Sequence, residues 1–235
     1  MIGIIVEILL SWLLLRFIAK ADLRVLGWQP VGKRTFQLFA GLLMMGVLCA
    51  LLKLWDSWLT HISWKVNNAM SLAAVVAGIW WNLKSVLFEE LIFRGALLYI
   101  LIQKIGWKNA VLISATAFGV YHWFSFNLWN NPIQMALVFL ITALTGWVWA
   151  YAYVRTGSMA LATGMHLGWN YVSISVFSSG TLGNQLLLPV KGDNYTPLTG
   201  LPSLCNFLLT NILIVVISFF FVHLVSDKRK KYKAG

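Results

Sequence analysis

Seven apolar runs divide this chain, at about 2–18, 35–55, 70–103, 108–125, 133–154, 158–178 and 203–225. A helix needs about 20 largely apolar residues to cross a bilayer. Within hydrocarbon the backbone must satisfy its own hydrogen bonds, which leaves helices as the natural form for such runs. Seven spans would use about 140 residues, close to the 60% apolar share of the 235-residue chain. Charged residues make up only 11%, against about 25% in soluble domains, and mean hydropathy is +0.78. These figures exclude a soluble enzyme, a disordered regulator and a nucleic-acid reader, despite a net charge of +11. The expected fold is all-α: a polytopic membrane bundle of about seven transmembrane helices, forming a single integral membrane domain over residues 1–235. The run at 70–103 exceeds one span, and either one tilted or kinked helix or two pieces would fit it. Met1–Ile18 lacks the basic flank and cleavage site of a signal peptide and reads as the first span.

Lys and Arg concentrate on the cytoplasmic side of membrane proteins. With the C-terminus inside, inner segments hold Arg16, Lys20, Arg24, Lys33, Arg34, Lys104, Lys108, Arg155 and the tail Lys228, Arg229, Lys230, Lys231 and Lys233, 13 of the 18 basic residues. Outer segments hold Lys53, Lys65 and Lys191. That asymmetry predicts an outside N-terminus and a cytoplasmic C-terminus, with the basic tail resting on anionic lipid rather than on nucleic acid. Trp55, Trp58, Trp64, Trp123 and Trp129 bracket outer loops and read as interfacial belts. The polar stretches Asp56–Asn68 and Thr181–Ser203 read as loops. Cys49 and Cys205 lie in apolar segments at unrelated spacing and read as buried thiols rather than a disulfide or metal pair.

The chain has seven acids, and two of them, Glu89 and Glu90, are neighbours inside an apolar run with Arg94 close behind. Each ionisable group costs roughly 2.5–3.5 kcal/mol at a span centre, about 7–10 for the trio, whereas a Leu returns only about 0.5. This helix cannot face lipid there and must turn the three groups toward protein or a water-filled cavity. Glu90 and Arg94 are four apart, share a face and can pair. Glu89 lies about 100° round the helix, with no basic residue at i±3 or i±4. Glu90–Arg94 therefore reads as a structural ion pair, and Glu89 as the carboxylate left for chemistry.

His122 follows Phe118-Gly119-Val120-Tyr121 near the end of the fourth run, and His166 and Asn170 share one face of the sixth. Gly164 and Gly168 form a small-xxx-small pair on the far side from His166, suited to a close helix neighbour. Counting about 1.5 Å per residue from the inner ends puts Glu89 about 22 Å deep, His122 about 21 Å, Asn170 about 18 Å and His166 about 12 Å. Four polar side chains from three helices fall within one slab, as a site requires. His61 and His223 lack such company and read as loop and inner-end residues.

In these residues the chain resembles the CPBP family, the type II CAAX prenyl endopeptidases and their bacterial relatives associated with bacteriocin processing and immunity. The family pattern EExxxR, FxxxH, HxxxN appears as Glu89-Glu90-x-x-x-Arg94, Phe118-x-x-x-His122 and His166-x-x-x-Asn170. It covers roughly residues 80–178, which would be the catalytic core. The resemblance implies a glutamate-dependent intramembrane endopeptidase acting on a membrane-associated or lipidated peptide or protein. Glu89 and His122 would activate the attacking water, His166 and Asn170 would form the oxyanion hole, and Glu90, Arg94 and Phe118 would support the site, with no metal or other cofactor. The chemistry agrees: a carboxylate out of bulk water is a better proton acceptor. An imidazole and an amide on one face can donate to a developing oxyanion. No Ser or Cys pairs with either His as a nucleophile.

Three other readings stay open at this point. A zinc protease could use the two His and Glu89, although HExxH is absent. A proton-coupled transporter could relay protons through Glu89. A non-catalytic scaffold or immunity protein could keep the fold. Compact size and short loops favour a prokaryotic plasma membrane, with the endoplasmic reticulum membrane the setting in a eukaryote.

Overall fold

The computed structural model describes residues 2–177, 182 and 186–226, and the basic tail invoked for orientation lies outside them. Helix α1, Ile2–Leu14, continues as a π-helical turn, Leu15–Ala19. A 3-10 turn at Leu23–Leu26 leads to α2, Val31–Thr60. Next come strand β1, Ile62–Val66, then α3, Leu72–Arg94, and α4, Ala96–Ser125. α5 spans Pro132–Thr156 and α6 spans Ala160–Asn170, extended by a π-helical turn, Tyr171–Val176. Strand β2, Leu187–Lys191, and α7, Gly200–Val225, follow.

The chain is mostly helical, as its apolar runs predict. Ser71 starts α3 by accepting from the Ala74 N–H, and Asn131 starts α5 by accepting from the Gln134 N–H, with Pro132 in the first turn. The long third run is two pieces, because the backbone leaves helical geometry at Gly95 (φ −87°, ψ −136°). α4 is itself broken at Gly106, whose φ of 77° suits glycine. Leu98 and Ile102 before that break share a hydrophobic cluster with Ala110 and Val111 after it. The Ser114 hydroxyl donates to the Phe93 carbonyl at 2.7 Å. The chain therefore doubles back at Gly106, and residues 107–125 run antiparallel to α3.

Among the described residues, four helical segments are long and apolar enough to cross a membrane: Ile2–Ala19, Val31–Thr60, Pro132–Thr156 and Gly200–Val225. α3 carries four charges, and α6 is only 11 residues long yet has eight of them buried. α6 is an internal element. α2 lies along it more intimately than any other helix pair does. A Cβ at Gly164 would strike the Leu38 carbonyl, and one at Gly168 would strike the Leu42 carbonyl. The small-residue pair thus serves close approach on the face away from His166, as its spacing suggests.

Two expectations need correction. The polar stretches are not plain loops: α2 runs on to Thr60, and β1 and β2 pair antiparallel, from Ile62 opposite Lys191 to Val66 opposite Leu187. The alternation of Ile62, Trp64 and Val66 with Ser63 and Lys65 suits a strand, but its partner lies more than a hundred residues away. Cys205 is exposed on α7, whereas Cys49 is buried; both are free thiols. On a membrane helix an apolar position need not face the core, since lipid solvates it equally well. The tryptophans also do more than belt the bundle, since Trp64 Nε1 donates to Ser57 Oγ at 2.7 Å and Trp123 Nε1 to the Met135 carbonyl at 2.8 Å.

Gly164→Val should push α2 from α6 and lower the melting temperature in detergent by several degrees, since overpacking costs about 1–3 kcal/mol. Gly192, with open space around it, is the control: Gly192→Ala should melt with the unaltered protein.

Candidate functional site

Glu90 is the hub of a sealed polar cluster. Its Oε1 accepts from Arg94 Nη1 at 3.1 Å, one turn along α3, and from His166 Nδ1 at 2.9 Å, across the interface with α6. Glu90 and Arg94 have no exposed surface. Arg94 also donates from Nη2 to the Gly146 carbonyl of α5 at 3.5 Å. Its guanidinium carbon lies 4.1 Å from the Phe118 ring centre and 5.2 Å from that of Trp149. A buried guanidinium in such a cage has its charge met by one carboxylate and its faces by aromatic quadrupoles. The expected Glu90–Arg94 pair is present, with His166 as a third member.

Phe118 is the mechanical centre. Its ring lies 4.5 Å from His122 and 5.9 Å from His166, and it meets Phe93 and Trp149 edge-on. Gly146 makes room for it, since a Cβ there would come within 2.8 Å of the Phe118 ring. His122 Nδ1 donates to the Phe118 carbonyl at 2.7 Å, which holds the ring and leaves Nε2 as a lone-pair acceptor in the neutral tautomer.

Glu89 and His122 stand at the edge of the cluster. They keep 8% and 9% of their surface, against none for Glu90 and Arg94. Glu89 Oε2 is 3.7 Å from His166 Nε2, too far for a hydrogen bond, and has no hydrogen-bond partner among the described residues. Glu89 is therefore not wholly uncompensated: His166 reaches toward it from another helix. The structure brings Glu89, Glu90, Arg94, Phe118, His122 and His166 together. Asn170 sits one turn beyond His166 on α6, half-buried. Of the other histidines, His61 closes α2 in a left-handed conformation. His223 has company after all, since its Nε2 lies 3.2 Å from the Tyr151 hydroxyl.

Above this site the wall is uneven. α4 stops at Ser125, three residues past His122. α3 begins at Leu72, about 26 Å before Glu89, and α5 begins about 21 Å before Gly146. Leu72 and Val76, in the first turns of α3, are exposed.

Residues 69–172 match the family model of type II CAAX prenyl endopeptidase Rce1-like proteins. Over that stretch the chain is similar to the CPBP family. No curated protein and no solved structure matches it. That similarity suggests a protease with a peptide or protein substrate at the membrane, and the four apolar segments among the described residues fit a membrane protein. The match starts ahead of the predicted core at 80–178 and ends at Val172, short of the predicted boundary.

The sequence motifs did not point to Trp149, stacked on His166 with ring centres 4.3 Å apart, or to Gly146. Trp149 is one of thirteen tryptophans, and only its position on α5, one turn from Gly146, sets it apart. Glu90→Ala should strip both Arg94 and His166 of their acceptor and cost about 3–5 kcal/mol. A sharp fall in detergent stability checks it, with Glu89→Gln remaining close to the unaltered protein; equal stability of Glu90→Ala would refute the hub.

Proposed function

We propose that this protein is an intramembrane endopeptidase that hydrolyses a peptide bond by direct attack of water. The observation that carries the reading is the split between the two glutamates: Glu90 is sealed and shared by Arg94 and His166, while Glu89 keeps 8% of its surface and its Oε2 has no hydrogen-bond partner among the described residues. Glu89 takes a proton from the water, and the Nε2 lone pair of His122 holds or receives the other proton. The hydroxide adds to the scissile carbonyl, and the oxyanion is met by His166 and Asn170 from one face of α6, a contribution often worth about 3–4 kcal/mol of barrier. Protonation of both ring nitrogens lets His166 donate to Glu90 and to the oxyanion together. Once Glu89 has taken the water proton, the charges of Glu89, Glu90, Arg94 and His166 sum to +1, and the oxyanion brings the cluster to zero, as a buried site favours. Collapse of the tetrahedral intermediate returns the proton from Glu89 to the leaving amine.

All 235 residues act as one membrane domain of seven spans, with the N-terminus outside and the C-terminus cytoplasmic, in a prokaryotic plasma membrane. The substrate is a membrane-associated peptide or protein, lipidated or not, and no metal takes part.

Quantitative proteomics of membranes carrying the unaltered protein or Glu89→Gln should show a cleavage product only with the former, both proteins being inserted alike. Processing by Glu89→Gln at the unaltered rate would end the protease reading. In purified protein, a tight zinc chelator should leave cleavage unchanged; loss of activity restored by added zinc would transfer Glu89 and the histidines to a metal site.

A further inference from the structure

Two turns along α3 from Glu89 lies Asn82, 1% exposed. Its Nδ2 donates to the Gly78 carbonyl and to Ser175 Oγ, both at 2.9 Å. The carbonyl can only accept, so the amide orientation is set by its surroundings. Both Asn82 N–H groups are used, while Asn82 Oδ1 is buried with no hydrogen-bond partner among the described residues. Ser175 is 4% exposed and accepts from Asn82, and its own hydroxyl proton meets no acceptor among them. An interhelical clasp accounts for the two N–H groups; it does not account for an orphan acceptor beside an unused donor. Buried polar atoms are almost always paired, and more strictly so away from water.

The contacts fix how this pair stands to the site. α3 meets α6 at one level through Glu89, Glu90 and His166, and meets the π-helical turn at a second level through Asn82 and Ser175. Seven residues of α3 separate the levels, about 10 Å, and Asn170 lies between them on α6. An extended peptide covers that distance in about three residues. In such a peptide the N–H and C=O of one residue point the same way, which is how strands pair.

We propose that Asn82 Oδ1 and Ser175 Oγ–H form a main-chain subsite for the substrate, gripping one extended residue about three residues from the scissile bond. Asn82 accepts the backbone N–H, and Ser175 donates to the C=O of the same residue. Because both contacts go to backbone, the subsite sets register and extension without selecting a side chain. This rests on the endopeptidase reading. Asn82 and Ser175 are positioning residues here and take no part in bond cleavage.

The test uses the full-length protein in detergent and synthetic peptides spanning a cleavage site found in the membrane-proteome comparison, each with one backbone amide N-methylated. The unaltered protein should lose about tenfold in kcat/KM, through KM, at one amide about three residues from the scissile bond. Asn82→Leu should show the same loss on the unmethylated peptide, and that methylation should then cost it nothing more. Should Asn82→Leu fail to fold, Ser175→Ala and the methylation scan of the unaltered protein decide the matter alone. Ser175→Ala removes only the hydroxyl, and it should weaken KM while leaving kcat within about twofold. Uniform cleavage of every peptide methylated two to four residues away would overturn the subsite while leaving the protease standing. So would an Asn82 variant that keeps the methylation penalty. If Glu89→Gln cleaves the unmethylated peptide as fast as the unaltered protein, the endopeptidase reading falls and takes the subsite with it.

Discussion

One carboxylate oxygen, Glu90 Oε1, organises the interior of this protein. It accepts from a guanidinium on its own helix and from an imidazole on another. In lipid the charged trio of α3 would cost about 7–10 kcal/mol, so the helices around it must supply what water would have supplied. α6 brings His166. α4 brings Phe118, whose face lies 4.1 Å from the guanidinium carbon. α5 brings the Gly146 carbonyl and the Trp149 ring. Three helices are thereby placed by the demands of one ion pair. The close approach of α5 depends on Gly146 having no side chain.

Local relationships were legible in the residues, and relationships between helices were not. A four-residue spacing puts Glu90 over Arg94 and His166 below Asn170 in any α-helix, and the apolar runs are found as helical segments, with the third split at Gly95 and the second extended to Val31–Thr60. Glu90 and His166, by contrast, are 76 residues apart, and nothing in spacing says that Nδ1 of one imidazole will face that oxygen. Glu89 looked unaccompanied for the same reason: a search at i±3 and i±4 sees only its own helix, while His166 approaches from α6. The β1–β2 ribbon and the exposed thiol of Cys205 were missed on the same principle. Strand pairing is long-range, and lipid removes the usual penalty for an outward apolar side chain.

The helices that carry the site look least like membrane spans. α3 is marked out by its charges and α6 by its brevity, and neither is among the four segments apolar enough to cross alone. An ionisable group in a membrane protein must face protein rather than lipid, so apolar neighbours have to cover it. α2 does this for α6, its backbone lying against Gly164 and Gly168 where a Cβ would strike carbonyl oxygens. The flanking helices then hold the hydropathy signal, and α3 and α6 hold the buried ionisable groups.

The change of helix type after Asn170 belongs to the same logic. Five residues along an α-helix turn a side chain about 140° away from where it started. In a π-helix each N–H bonds five residues back, which winds the chain less per residue and leaves residues five apart nearer one face than an α-helix does. The turn Tyr171–Val176 is π-helical, and it keeps Ser175 near the face that His166 and Asn170 present. Continued as an α-helix, the chain would carry that hydroxyl away from Asn82, and the 2.9 Å bond between them would not form. The polar column on this side of α3 therefore depends on one irregular turn, at the point where a regular helix would have rotated it out of reach.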